Sequence, residues 1–170
     1  MKGIMFNETY GLETAVLNRI KTRTWREDAK PRYKLGEIVA IKMSYGNIYN
    51  YDMDCLIRHG CILEDGSIRT DIFSSAGWSN KLYVKNELMP SQIKITSVKK
   101  CRLQDLTDND CIKEGVRKYE SCQAFFVPGI NDSYHTAKNA FANLIVRITG
   151  QDDYWERNPM GYAYEFELIK

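Results

Sequence analysis

Within Lys21-Thr22-Arg23-Thr24-Trp25-Arg26 the chain sets three cations, two hydroxyls and an indole side by side. Such groups suit phosphate, carbonyl and nucleobase partners; burial of apolar surface does not select them. Arginines in particular grip anions through a fixed fork of donors. On a regular strand Lys21 and Thr24, three apart, point to opposite faces. A turn at Lys21 would instead let its ammonium swing toward the Thr24 hydroxyl, while Thr22, Thr24 and Arg26 share one face. The competing reading of the same residues is a solvated edge strand whose charges block unwanted pairing.

The elements around this segment must position it. From Thr9 to Ile20, Leu12, Val16 and Ile20 fall at helical spacing, and the period changes at Lys21 to the alternation of a strand. Gly3 to Phe6 reads as a short strand before that helix, and Glu37 to Lys42 as one after it, entered through a turn at Gly36. Residues 45–80 carry repeated Gly and Asn punctuation and read as an insertion. Inside it Cys61-Ile62-Leu63 and Ile68 to Phe73, separated by Glu64-Asp65-Gly66-Ser67, carry a hairpin signal. Gln92 to Val98 alternates as a half-buried strand closed by Leu103. Thr107 with Asp108 and Asp110 caps a short helix bearing Cys111, Ile112 and Glu114 and stopped by Gly115. Ser133 to Ile148 places Ala137, Phe141, Leu144, Ile145 and Ile148 at helical spacing, with Asp132 or Ser133 as cap and Gly150 as stop. After Asn158-Pro159, Tyr162, Tyr164, Phe166 and Leu168 alternate as a closing strand. Strands flanking isolated helices without a βαβ rhythm indicate an α+β class, a mixed β-barrel with two or three peripheral helices.

A chain of 170 residues, 44% hydrophobic and 27% charged, suits a single globular domain. The net charge is only +2, so affinity for nucleic acid must come from local clustering: Lys21, Arg23, Arg26, Lys30, Arg32 and Lys34 supply it. The five cysteines include no Cys-x-x-Cys and the N-terminus has no secretory apolar core, which points to a cytoplasmic setting. No apolar run reaches bilayer-spanning length, so no membrane association is expected. Cys55, His59 and Cys61 lack a regular spacing and a fourth ligand, so neither a metal nor another cofactor is expected. With His59 and His135 the only histidines, a histidine-based triad is not expected.

Several stretches, in order, resemble the ASCH family, whose members have a PUA-like β-barrel, and especially its longer phage- and bacteria-associated branch. They are Lys21 to Arg26, similar to the family's G-x-K-T-x-T-x-R signature; Tyr33 to Val39; Leu88-Met89-Pro90 through Leu103-Gln104-Asp105-Leu106-Thr107 to Glu114-Gly115; and Trp155-Glu156-Arg157-Asn158-Pro159 through Phe166. The chain departs from the pattern at Arg19, where the family has a glycine, so the turn there is expected to fall to neighbouring Asn18. It departs again at Met43 and Tyr45, where the longer branch carries an acidic residue and a Trp.

The resemblance implies one PUA-like domain over residues 1–170 that binds RNA or a nucleoside or nucleotide in a basic cleft around Lys21 to Arg26. In that role Lys21, Arg23, Arg26 and Arg32 meet phosphates while Trp25, Tyr45 or Trp155 stacks on a base, and Thr22 also belongs to the ligand-binding set. It also implies an alternative, an amidohydrolase of N-acylated cytidine-type nucleosides with Lys21, Thr24 and Glu114 as catalytic residues. A ribonuclease is the second alternative. Bland readings stand beside each: Lys21 as a surface charge, Thr24 as a strand former and Glu114 as a solvent-facing helix end.

Overall fold

A computed structural model describes residues 1–58, 60–61, 65–67 and 69–169. In chain order its strands and α-helices are β1 (Lys2–Ile4), α1 (Leu12–Leu17), β2 (Arg23–Arg26), β3 (Ile38–Ile41), α2 (Tyr45–Tyr51), α3 (Met53–Arg58), α4 (Thr70–Phe73), β4 (Gln92–Arg102), α5 (Asp108–Lys113), β5 (Arg117–Lys118), β6 (Phe125–Phe126), α6 (Ala137–Thr149), α7 (Tyr154–Arg157) and β7 (Met160–Leu168). The class is mixed α+β. Five strands bond in the order β1-β3-β4-β7-β2, an open mixed sheet whose end strands are only three and four residues long, and β5 pairs separately with β6. No closed barrel is formed among the described residues. None of their helices is long and apolar enough to cross a membrane.

The chain divides into two compact units, residues 1–6, 38–94 and 169–170 in one, and 7–37 and 95–168 in the other. In the first, β1 lies parallel to β3, and β3 antiparallel to the opening residues of β4. Ala40, Met43, Ile48, Leu56 and Met89 pack there with Tyr45 into one core cluster. The region expected to be an insertion is therefore part of a unit with its own core. Where an extended arm was expected at Ile68 to Phe73, Thr70–Phe73 is helical. Local bonds such as Ile72 N–H to Arg69 O at 2.9 Å satisfy its backbone. In the other arm and turn of that expected hairpin, Ile62, Leu63 and Glu64 lie outside the described residues, as does Ile68.

The second unit is built around the antiparallel pair of β2 and β7, with Arg23 opposite Glu165, Thr24 opposite Tyr164, and Arg26 opposite Tyr162. Gly161 lets the two strands meet: a Cβ there would stand 2.3 Å from Arg26 O and 2.5 Å from the Trp25 ring. α6 buries Ala137, Ala140, Phe141 and Leu144, the one-sided stripe expected of an amphipathic helix, and stops at Gly150 in the left-handed region. It begins later than its apolar pattern predicts. Tyr134 forms a bridge with Phe125, which holds the chain extended until Thr136 caps the helix. The first helix is also shorter than predicted, because Gly11 at φ +62 separates a turn of 3-10 helix from α1.

Candidate functional site

Two local devices bring Lys21 against the end of α5. The first is a left-handed turn after α1. Arg19 itself takes φ +59, whereas Asn18, expected to make the turn, stays at φ −88. The backbone N–H groups of Ile20 and Lys21 both return to Ala15 O, at 2.8 and 3.0 Å, and Arg19 Nη1 donates to Leu168 O at 2.8 Å. The second device is the capping box of α5: Thr107 Oγ1 accepts from Asp110 N–H at 3.2 Å while the Asp110 carboxylate accepts from Thr107 N–H at 3.0 Å. The helix ends at Glu114, and Gly115 leaves it at φ +111. A Cβ on Gly115 would lie 2.9 Å from the Leu12 side chain and 3.7 Å from that of Lys21, so a larger residue would push the helix end away from Lys21.

At this junction Lys21 Nζ donates to Glu114 Oε2 at 2.8 Å and to the Glu114 backbone carbonyl at 2.6 Å. Both residues are only 3% exposed. The expectations of a surface lysine and a solvent-facing glutamate are thereby overturned, since the turn and the helix end fold both side chains inward. Glu114 Oε1 is buried with no hydrogen-bond partner among the described residues. An unfilled acceptor of this kind costs about 1–3 kcal/mol, and more when charged, unless a donor arrives.

Burial pushes the Lys21 pKa below its ordinary 10.5; adjoining Glu114 opposes the fall, and the charges of Arg26 and Arg23 add to it. The result is an amine easier to deprotonate than an exposed one.

Thr24 is 5% exposed and shares one face of β2 with Arg26, as strand alternation requires. That face is covered by aromatic side chains. Tyr164, opposite Thr24, is fully buried; Tyr33 packs edge-on to it with ring centroids 5.2 Å apart. The Tyr164 hydroxyl accepts from Arg32 N–H at 2.9 Å. Arg26 is half-buried, and its charge acts on both Lys21 and Glu114. Of the three residues named as catalytic, Lys21 and Glu114 are in direct contact, and Thr24 is buried on the neighbouring strand.

The residues named for ligand contact divide. Arg23 is 7% exposed and ion-pairs through Nη1 with Asp110 Oδ1, with Glu165 Oε1 at 3.5 Å. Thr22 is half-buried and serves the backbone ladder, its carbonyl accepting from Phe166 N–H at 2.9 Å. Trp25 is buried and donates Nε1–H to Cys101 O at 3.3 Å. Tyr45 belongs to the core of the other unit, where its hydroxyl accepts from Lys85 N–H at 2.9 Å. These two rings are covered, so neither offers an open face to a base. Trp155, half-buried and edge-on to Phe141, does line an open groove of about 400 Å³ with Asn139, Asn143, Asp152 and Glu156. Arg32, beyond β2, ion-pairs with Asp28 at 2.7 Å and keeps an exposed guanidinium.

Sequence reasoning missed Asp110, Glu165, Tyr33 and Tyr164. One signal was present for Asp110: it stands four residues before Glu114, on the same face of a helix, while Arg23 stands two after Lys21. Compared with models of protein families, with curated proteins and with solved structures, the chain matches none.

Proposed function

We propose that the chain is an ASCH-type, PUA-like module that takes a nucleoside-sized ligand at Lys21 and Glu114 and hydrolyses an N-acyl amide of the cytidine type. The observation that carries this reading is the buried Lys21–Glu114 contact, 2.8 Å long, with one carboxylate oxygen lacking a donor. A ligand amide N–H would fill that oxygen. Burial of the pair favours a small ligand that enters a closed interior over a strand lying in an open groove.

Burial lowers the Lys21 pKa and so brings its neutral amine within reach. That amine takes the Thr24 Oγ1 proton as the oxygen attacks the amide carbonyl. The C–N bond then breaks while Glu114, 2.8 Å from Lys21 Nζ, passes that proton from Lys21 to the departing nitrogen. Water attacks the resulting Thr24 ester and gives a proton to Lys21, which returns it to the departing Thr24 Oγ1. This cycle requires Thr24 Oγ1 within hydrogen-bond reach of Lys21 Nζ once the ligand is bound. A panel of N-acylated nucleosides incubated with purified protein tests the reading: release of the free acid and the amino nucleoside supports it, and an intact panel opposes it.

A second reading, RNA binding without turnover, is favoured by the exposed Lys30, Arg32 and Lys34 on the loop after β2. Each phosphate they neutralise would add about 0.7 to the salt slope of single-strand binding. Affinity unchanged between low and physiological salt would remove this second reading.

A further inference from the structure

We infer that Arg23 and Asp110 are positioning residues whose ion pair forms a second rung beside Lys21–Glu114 and sets the distance between that lysine and that glutamate. Lys21 and Arg23 are two residues apart at the entry to β2; Asp110 and Glu114 are four apart on α5 and its cap. Two extended residues advance about 6.6 Å, and four helical residues about 6 Å. The spacings match, so both rungs close together without shear between strand and helix. The backbone bond from Thr22 N–H to Lys113 O, 3.0 Å, lies between them.

The second rung is braced from β7. Arg23 Nη1 lies 3.5 Å from Glu165 Oε1, and Lys113 Nζ engages the same oxygen at 3.0 Å. Arg23 shares a strand face with Trp25, opposite to that of Thr24 and Arg26, and its guanidinium is taken up by Asp110 and Glu165. The inference rests on Lys21 and Glu114 as the working pair, yet its test needs no turnover.

The test is Asp110→Asn in the full chain. The amide oxygen can still accept the two bonds that Asp110 takes from Thr107 N–H and Oγ1, at 3.0 and 2.9 Å, so the helix cap survives while the ion pair is lost. The readout is the titration midpoint of the Lys21 side chain, followed by NMR of labelled lysine and assigned with Lys21→Met. The largest charge effects on Lys21 come from Glu114 at the end of α5 and from Arg26 and Arg23 on β2. With the rung cut, Glu114 moves off and the positive charge of Arg23 is less neutralised, so the midpoint falls, by about one pH unit. Arg23→Lys, which keeps the charge but loses the fork between Asp110 and Glu165, shifts it the same way by less, and serves if Asp110→Asn fails to fold. A midpoint equal to wild type, with thermal stability alone reduced, overturns the inference. A clear shift in a protein that cleaves no acylated nucleoside would uphold it while removing the amidohydrolase reading.

Discussion

Burying an ammonium against a carboxylate is a poor way to stabilise a fold, because the desolvation of both ions offsets most of their attraction. Removing one partner of such a pair leaves an uncompensated charge and costs about 3–5 kcal/mol. We therefore expect Lys21→Met to lower the unfolding free energy by that amount, and the double variant Lys21→Met/Glu114→Leu to recover most of it; urea denaturation of both decides. A double variant as unstable as the single one would mean that the pair is kept for stability. The titration carries a sign as well. Since the folded-state pKa of Lys21 lies below 10.5, the unfolded chain binds the proton more tightly. The contribution of Lys21 to stability is fully present above the unfolded value and is lost as pH falls through the folded one. Unfolding curves of wild type and the double variant, taken across alkaline pH, should diverge in wild type's favour as pH rises. If the working base is the neutral amine, activity should climb over the same limb.

The elements that hold the pair are short, so their ends matter more than their middles. α5 spans only Asp108–Lys113, and its C-terminal exit depends on Gly115 at φ +111 against Leu12. Gly115→Ala introduces both backbone strain and a clash, and should cost about 1–3 kcal/mol. Thermal denaturation measures it; a loss within a few tenths of a kcal/mol would show that the helix end can shift freely. Caps explain how much of this was legible. α5 and α6 could be read because Thr107, Gly115 and Gly150 are local signals that act whatever surrounds them. α1 was overextended because the apolar period of Leu12, Val16 and Ile20 runs on past the places where Gly11 and Arg19 turn the backbone left-handed. The chain at Ile68 to Phe73 was misread because a short apolar run does not distinguish strand from helix. Lys21 was singled out by residue type and its spacing to Thr24, Glu114 through a family resemblance; their burial was not legible, since it depends on a turn made by an arginine, which seldom adopts φ above zero.

Across the molecule, a charge total of +2 conceals a division of the basic cluster into an inner set, Lys21 and Arg23, and an exposed set, Lys30, Arg32 and Lys34. Patterning along the chain could not separate them, because the inner set is buried by partners about ninety residues away at Asp110 and Glu114. The cysteines divide in the same way. Cys55, Cys61, Cys101 and Cys111 are buried and Cys122 is exposed. Burial, with Glu114 adding to it, pushes the Cys111 thiol up to about 12. Alkylation of the native protein followed by mass spectrometry should therefore modify Cys122 alone, and rapid labelling of Cys111 would mean that the interior beside Glu114 opens to solvent.

The central claim is that a buried lysine and glutamate, backed by Thr24, cleave an acyl amide. Its most direct test is hydrolysis of N-acylated cytidine by wild type, Glu114→Gln and Lys21→Met, with each variant's fold checked by circular dichroism. The account predicts turnover by wild type and a loss of at least about 100-fold in the folded variants, the scale expected when a general acid or base is removed. Turnover by Lys21→Met at the wild-type rate, or none by wild type on any acylated nucleoside, would contradict it.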